Sequence, residues 1–351
     1  MEYTMLVERF AENPLITPDD VRPSRADYEV IGAFNAGAVE YNGETILLLR
    51  IAQRPLDKPA DVQIAPILNP DTGEIELFRK NNNDPNIEIP DTRGFYYKSK
   101  LYLTSISHLQ LARSTDGINF TVDPNPAVFP KTPYETFGIE DPRITPLEGR
   151  FVITYKVVSE NGICTALMET EDFKTFHRKG IIFCPMNVDV VIFPEKINGC
   201  YYALTRPVPM YLGPPAIWIA SSPDLINWGN HKPLLPPRPD YFDSSKTGAS
   251  CVPIKTEEGW IEIYHASDEK NHYHIAAALL DLDDPAKVIA RAKIPLMKPR
   301  AGYETKGFFS NVVFACGHTR KNDEITIYYG ASDESTAAAK TTIKKIVSTL
   351  Q

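Results

Sequence analysis

The chain has 351 residues, 43% of them apolar, and a net charge of −8. That acidic balance argues against nucleic acid as a partner, because phosphate binding needs a basic face, and it disfavours a membrane surface. The cysteines (Cys164, Cys184, Cys200, Cys251 and Cys316) include no CxxC pair, so no metal site is expected and buried, reduced thiols are the plain reading.

Residues 1–14 carry acids and no apolar run, unlike a signal peptide. No later run approaches the ~18 apolar residues of a membrane span. A reducing cytoplasm fits both observations. Along the chain, 30 prolines and 19 glycines separate short apolar segments. This predicts many strands and turns rather than long helices. Residues 96–104, 190–193, 201–204 and 260–265 are such segments.

One pattern recurs. Ser114-Thr115-Asp116-Gly117-Ile118-Asn119-Phe120, Thr170-Glu171-Asp172-Phe173-Lys174-Thr175-Phe176 and Ser222-Pro223-Asp224-Leu225-Ile226-Asn227-Trp228 all read Ser/Thr-x-Asp-x-x-x-Phe/Trp. Each follows an alternating segment, and the starts are almost evenly spaced. A degenerate fourth copy is Leu280-Asp281-Leu282-Asp283-Asp284. In each, the hydroxyl and carboxylate are expected to close a turn on backbone N–H groups, and the aromatic to restart a strand and pack between sheets. A strand-rich period of this length predicts propeller blades of four strands. At about 55–60 residues per blade, residues 1–351 form one domain, a five-bladed β-propeller. A β-sandwich competes but leaves the period unexplained.

Propellers place functional groups around a central channel. The candidates are polar residues in or at the ends of apolar strands: Asn35, Arg50, Glu140, Asp141, Arg143, Arg206, His265 and Asp333. One charged strand end is usually solvated; several, spread over successive blades, favour a shared polar pocket. Acids among neutral polar groups suit a sugar, and a glycosidase needs a general acid. Asp141 is the acid candidate, with adjacent Glu140 expected to raise one of the two carboxyls. The plain alternative is an Asp141-Pro142 turn with Glu140 paired to Arg143. Arg206, Lys246 and His265 form a cationic set in adjacent blades. A water-using hydrolase gains little from it, whereas a phosphate nucleophile needs it for charge-assisted hydrogen bonds. A solvated Lys246 and a packed, hydrogen-bonded His265 are the alternatives there.

At these residues the chain resembles glycoside hydrolase family 130, the mannoside phosphorylases on a five-bladed propeller. Matching stretches include Phe34-Asn35-Ala36-Gly37, Leu48-Leu49-Arg50, Gly138-Ile139-Glu140-Asp141-Pro142-Arg143, Arg206-Pro207, Tyr264-His265 and Tyr328-Tyr329-Gly330-Ala331-Ser332-Asp333. The resemblance implies inverting phosphorolysis of a β-mannoside to α-mannose 1-phosphate. Asp141 would be the general acid, acting through the 3-hydroxyl of the mannose. Arg206, Lys246 and His265 would bind phosphate. Asn35, Arg50, Glu140 and Asp333 would hold the mannose. Arg93, Ser105 and Tyr303 would reach the acceptor side, and Asp189 would also contact substrate. Asn187-Val188 stand where some of these phosphorylases carry a basic residue.

The N-terminal half looks nearest to phosphorylases of β-1,2-mannobiose and β-1,2-mannooligosaccharides. Phosphorolysis of β-1,4-mannooligosaccharides or of mannosylglucose ranks second. A β-1,2-mannosidase would need Asp189 or Asp243 as a base opposite Asp141, and a non-catalytic sugar-binding propeller would show an aromatic-lined face and tolerate the loss of Asp141. No cofactor is implied, because inorganic phosphate is a substrate, and self-association among relatives leaves room for a homo-oligomer.

Overall fold

Short apolar runs closed by Asp- and Gly-rich turns fold as antiparallel meanders, since each strand finds its backbone partners in its chain neighbour. The computed structural model describes residues 6–350, so the first five residues of the 1–14 stretch lie outside it. The fold is all-β, with helices no longer than Ile343–Val347. No helix among the described residues is long and apolar enough to cross a membrane.

The main strands fall into five antiparallel groups of four. The first is Tyr28–Tyr41, Glu44–Pro55, Ile106–Ser114 and Thr121–Val122. The second is Gly138–Leu147, Arg150–Ser159, Gly162–Thr170 and His177–Phe183, joined to the first by a single parallel bridge, Gly138 to Ser107. The third is Asn187–Ile192, Tyr201–Pro207, Ile217–Ser222 and Gly229–Leu235. The fourth is Lys246–Ala249, Trp260–Ser267, Tyr273–Leu280 and Val288–Arg291. The fifth is Val313–Lys321, Glu324–Ala331 and Ser335–Thr342, completed by the early strand Glu8–Arg9.

The repeated heptads lie between the third and fourth strands of their groups. Asp116 Oδ1 accepts from the backbone N–H of Ile118 and Asn119 at 2.9 and 2.8 Å. Asp172 does the same for Lys174 and Thr175, and Asp224 for Ile226 and Asn227. In the degenerate copy Asp281 Oδ1 takes Asp283 and Asp284, both at 3.0 Å. The fifth group needs no such turn, because its fourth strand comes from the other end of the chain.

Apolar clusters fill the spaces between groups. One joins the first and second (Leu48, Ile153), one the second and third (Val152, Ala203), and one the third and fourth (Leu204, Trp260). Two more join the fourth to the fifth (Ile263, Ile327) and the fifth to the first (Tyr328, Leu49). Each fully buried Leu or Ile contributes roughly 1.5–3 kcal/mol by leaving water. The heptad aromatics take part, as expected: Phe120 meets Tyr328 edge-on at 5.8 Å, and Trp228 meets Phe183 at 5.5 Å.

Two expectations change. Residues 96–104 are not one strand but a hairpin, Gly94–Tyr97 with Lys100–Leu103. Its turn, Lys98-Ser99, has φ of 51° and 64°, the left-handed pair of a tight hairpin without the usual Asn-Gly signal. All five cysteines are free, but only Cys164, Cys251 and Cys316 are buried; Cys184 is exposed.

Candidate active site

The first strand of each of the first three groups carries a register break at one polar residue. The breaks fall between Phe34 and Gly37, Glu140 and Arg143, and Val188 and Val191. Inside them Asn35, Asp141 and Asp189 adopt φ of 49°, 48° and 54°. Asn and Asp tolerate this left-handed region better than other side-chain residues, and a bulge re-aims the side chain it holds. The second strand of each group then offers a cation beside the break. Phe34 pairs with Arg50, Glu140 with Lys156, and Val188 with Arg206. In the fourth group Gly248 pairs with His265. Close approach dictates the glycine: a Cβ there would fall 2.3 Å from His265 Nε2 and 2.8 Å from Asp189 Oδ2.

These groups form one chain of contacts. Arg50 donates from Nη2 to Glu140 at 2.7 Å and from Nη1 to Asp141 at 3.3 Å. Asn35 Nδ2 donates to Asp141 Oδ1 at 2.9 Å, and Lys156 Nζ to Asp141 Oδ2 at 2.5 Å. Lys156 also stands 3.3 Å from Asp189 Oδ1. Asp189, fully buried, accepts from Arg206 Nε at 2.6 Å and from Arg143 Nη2 at 3.0 Å, with His265 Nε2 at 3.3 Å. Arg143 also donates to the Asp141 carbonyl at 3.1 Å, which ties both acidic bulges to one guanidinium.

The electrostatics differ from expectation. Burial favours a neutral Asp141, but Lys156, Arg50 and Arg143 outweigh it and hold the carboxyl well below the usual carboxylate range. Asp189 is held low in the same way, chiefly by Arg206 and Lys156 against burial. The raised carboxyl is instead Asp333, pushed up to about 6 by burial and by the charges of Asp141 and Glu140. Glu140 pairs with Arg50 rather than Arg143. His265, expected among the cations, falls to about 4 because burial penalises its charged form. Its Nδ1 lies 3.0 Å from Ser250 Oγ. Lys246 donates to Tyr273 OH at 2.8 Å and joins the group through that ring, which stacks on His265 with centroids 6.2 Å apart.

Counting formal charges, Arg50, Arg143, Lys156, Arg206 and Lys246 outnumber Glu140, Asp141, Asp189 and Asp333 by one, and by two where Asp333 is protonated. An anion fits that surplus.

A cleft of about 900 Å³ opens beside this network, a volume suited to a small ligand. Arg50, Glu140 and Asp333 line its polar floor, with Phe34 and Phe308. Arg93 and Ser105, expected on the acceptor side, line it too. Tyr303 does not. It sits in the short helix Gly302–Thr305 and packs on the apolar cluster between the fourth and fifth groups. Its neighbour Glu304 anchors that helix by accepting from Arg9 at 2.6 Å and Tyr329 OH at 2.8 Å. Asp243, a candidate hydrolytic base, is buried among Arg238, Arg291 and the Tyr264 hydroxyl.

Sequence reasoning missed Lys156 and gave Arg143 no role. Lys156 had a signal: Val152-Ile153-Thr154-Tyr155-Lys156 ends an apolar run on a cation, as Leu48-Leu49-Arg50 and Leu204-Thr205-Arg206 do.

Comparison with known proteins places the whole chain. The glycoside hydrolase 130 family profile, described as β-1,4-mannooligosaccharide phosphorylase, matches residues 89–351. The β-1,2-mannobiose phosphorylase of Listeria innocua is 48% identical over 351 residues, covering 99% of each chain. The 1,2-β-oligomannan phosphorylase of a Thermoanaerobacter species is 42% identical over 246 residues, covering 69% of this chain and 80% of its own. The solved structure of the Listeria innocua enzyme in complex with β-1,2-mannobiose superposes with a TM-score of 0.95, covering 98% of this chain and 99% of that one. With fold, sequence and relatives in agreement, the chain belongs to glycoside hydrolase family 130.

Proposed function

We propose that this enzyme cleaves β-1,2-mannobiose, or a short β-1,2-mannooligosaccharide, with inorganic phosphate, inverting the anomeric centre to give α-mannose 1-phosphate. One observation carries the reading: Arg206, Arg143 and Lys156 converge on the single carboxylate of Asp189, beside a single candidate acid. The carboxylate pair of Asp141 and Asp189 does not suit water as nucleophile. Their oxygens lie 2.5 and 3.3 Å from one ammonium, closer together than the roughly 6.5–9.5 Å that an inverting hydrolase needs between its carboxyls. Asp189 is also fully buried and paired. Asp243 is committed to two arginines.

In this reading Arg206, Lys246 and His265 hold the phosphate. The neutral imidazole donates one N–H, from Nε2 when the Ser250 hydroxyl donates to Nδ1. Asn35, Arg50, Glu140 and Asp333 grip the mannose to be transferred, and Arg93 and Ser105 meet the acceptor. Phosphate attacks the anomeric carbon from the face opposite the leaving oxygen, which Asp141 protonates by way of the mannose 3-hydroxyl. The chain's own contribution is positioning and charge stabilisation of an oxocarbenium-like transition state. The five four-stranded groups, with apolar clusters between each and the next and between last and first, support a closed five-bladed propeller formed by the chain as one unit.

The test is to incubate the enzyme with β-1,2-mannobiose, with and without phosphate. Mannose 1-phosphate and mannose should appear in equal amounts, and only when phosphate is present. Mannose release at the same rate without phosphate would sink the reading.

A further inference from the structure

A general acid must hold a proton at the moment of reaction. Asp141 as it stands does not: its carboxylate accepts from Asn35, Arg50 and Lys156. Some partner has to leave before the group can be protonated. Arg143 is fixed, because its guanidinium is buried between the Asp141 carbonyl and Asp189. Arg50 is shared with Glu140 and stacks over the Phe34 ring at 4.8 Å. Lys156 is the exception. It is a single ammonium on a flexible stem, with a short bond to Asp141 and a looser contact to Asp189. It shares the Asp189 carboxylate with Arg206 and His265.

We propose that Lys156 is a positioning residue that keeps Asp141 ionised until phosphate arrives, then turns to the phosphate and lets Asp141 take up the proton it will deliver. This rests on the phosphorylase reading of Arg206, Lys246 and His265. The balance is simple. Asp141 carboxylate gains one proton from solvent as the anion binds. It passes that proton through the 3-hydroxyl to the leaving oxygen as the glycosidic C–O bond breaks and a phosphate oxygen bonds to the anomeric carbon. The proton of the hydrogen phosphate returns to solvent, so none is consumed overall. Asp141 returns to the carboxylate, which Lys156 caps again when the phosphate ester departs. The charged and titratable groups around Asp141 are Glu140 and Arg143 on its own strand, Arg50, Lys156, Asp189, Cys316 and Asp333. Of these, Asp333 also takes up protons as an anion approaches, so it has to be removed from the measurement.

Sulfate is the probe, because it does not titrate near neutral pH. Its binding to the Asp333→Asn enzyme is measured by calorimetry at pH 7 in two buffers of different ionisation heat. The uptake should approach about one proton per sulfate, as linkage between anion and proton binding requires. Adding Asp141→Asn should abolish most of that uptake while sulfate still binds. Lys156→Met should bind sulfate about tenfold to a hundredfold more weakly, with little uptake. Lys156→Arg should restore affinity. Sulfate bound without proton uptake, or uptake unchanged by Asp141→Asn, overturns the proposal and leaves the phosphate site standing. Failure of sulfate to bind at all overturns both.

Discussion

Asp189 and Asp243 are both fully buried carboxylates ringed by basic side chains, yet the two rings do different work. At Asp243 both cations are also tied to backbone carbonyls. Arg238 also donates to the Ala292 carbonyl at 2.7 Å and Arg291 to the Pro236 carbonyl at 2.6 Å. That ring clasps a loop to the fourth strand group. At Asp189 the carboxylate sits on a bulge with φ of 54°, and its partners come from the second, third and fourth groups. Arg206 and Lys156 keep donors to spare, and Arg143 Nε and His265 Nε2 have no hydrogen-bond partner although buried. Unspent donors in a buried site cost free energy unless a ligand takes them. The lesson is that residue type does not separate a brace from a binding site; the fate of the remaining donors does.

That contrast can be broken by mutation. The largest effect is expected at the acid that borders the Asp189 ring. Asp141→Asn should lower kcat on β-1,2-mannobiose by about 10²–10⁴-fold while the enzyme stays folded. Near-normal turnover would remove Asp141 from the role. Asp243→Asn should do the reverse. Removing one partner of a buried ion pair costs about 3–5 kcal/mol of stability, seen as a lower urea midpoint. KM for phosphate and kcat of the folded enzyme should stay near wild type. If Asp243→Asn raised the phosphate KM selectively, the two rings would not differ as described.

Next comes Arg206→Ala. Losing a charge-assisted bond of about 1.5–3 kcal/mol should raise the phosphate KM by roughly tenfold or more and leave the mannobiose KM nearly unchanged. A matched rise in both would instead place Arg206 on the sugar.

The gentlest test uses pH and stability. His265 falls from 6.5 to about 4 in the folded chain, so its contribution is present above pH 6.5 and is lost as pH falls towards 4. Asp333 rises from 3.8 to about 6, so its contribution is present below pH 3.8 and is lost as pH rises through 6. Between pH 6.5 and 4 the two oppose each other, each worth about 3 kcal/mol. Relative to wild type, Asp333→Asn should lose stability on acidification through this window, and His265→Gln should gain it. Parallel denaturation curves for both variants across the window would contradict the assignment.

Much of the fold was legible because its unit is written locally. Asp116, Asp172 and Asp224 close the same turn with the same two backbone bonds, so spacing alone revealed the period. The fifth group left no such trace, since Glu8–Arg9 meets Ser335–Thr342 from across the chain. The hairpin at Lys98-Ser99 was hidden because neither residue signals a left-handed turn. In the site, residues ending apolar strands were readable, and Lys156 obeyed the same rule unnoticed. Tyr303 was misplaced because Glu304 pins its helix to Arg9, a contact nearly the whole chain away in sequence. Protonation was the least legible. Glu140 stands next to Asp141 in sequence, but Lys156 and Arg50, set by strand register, decide that the carboxyl stays ionised.

The account turns on what the unspent donors around Asp189 hold. The most direct measurement is a crystal structure of the enzyme with phosphate and β-1,2-mannobiose supplied to the inactive Asp141→Asn variant. The account predicts a phosphate bonded to Arg206, Lys246 and His265, facing the anomeric carbon of a mannose held by Arg50 and Asp333. A sugar in that cleft with water, and no anion, against Arg206 and His265 would contradict it.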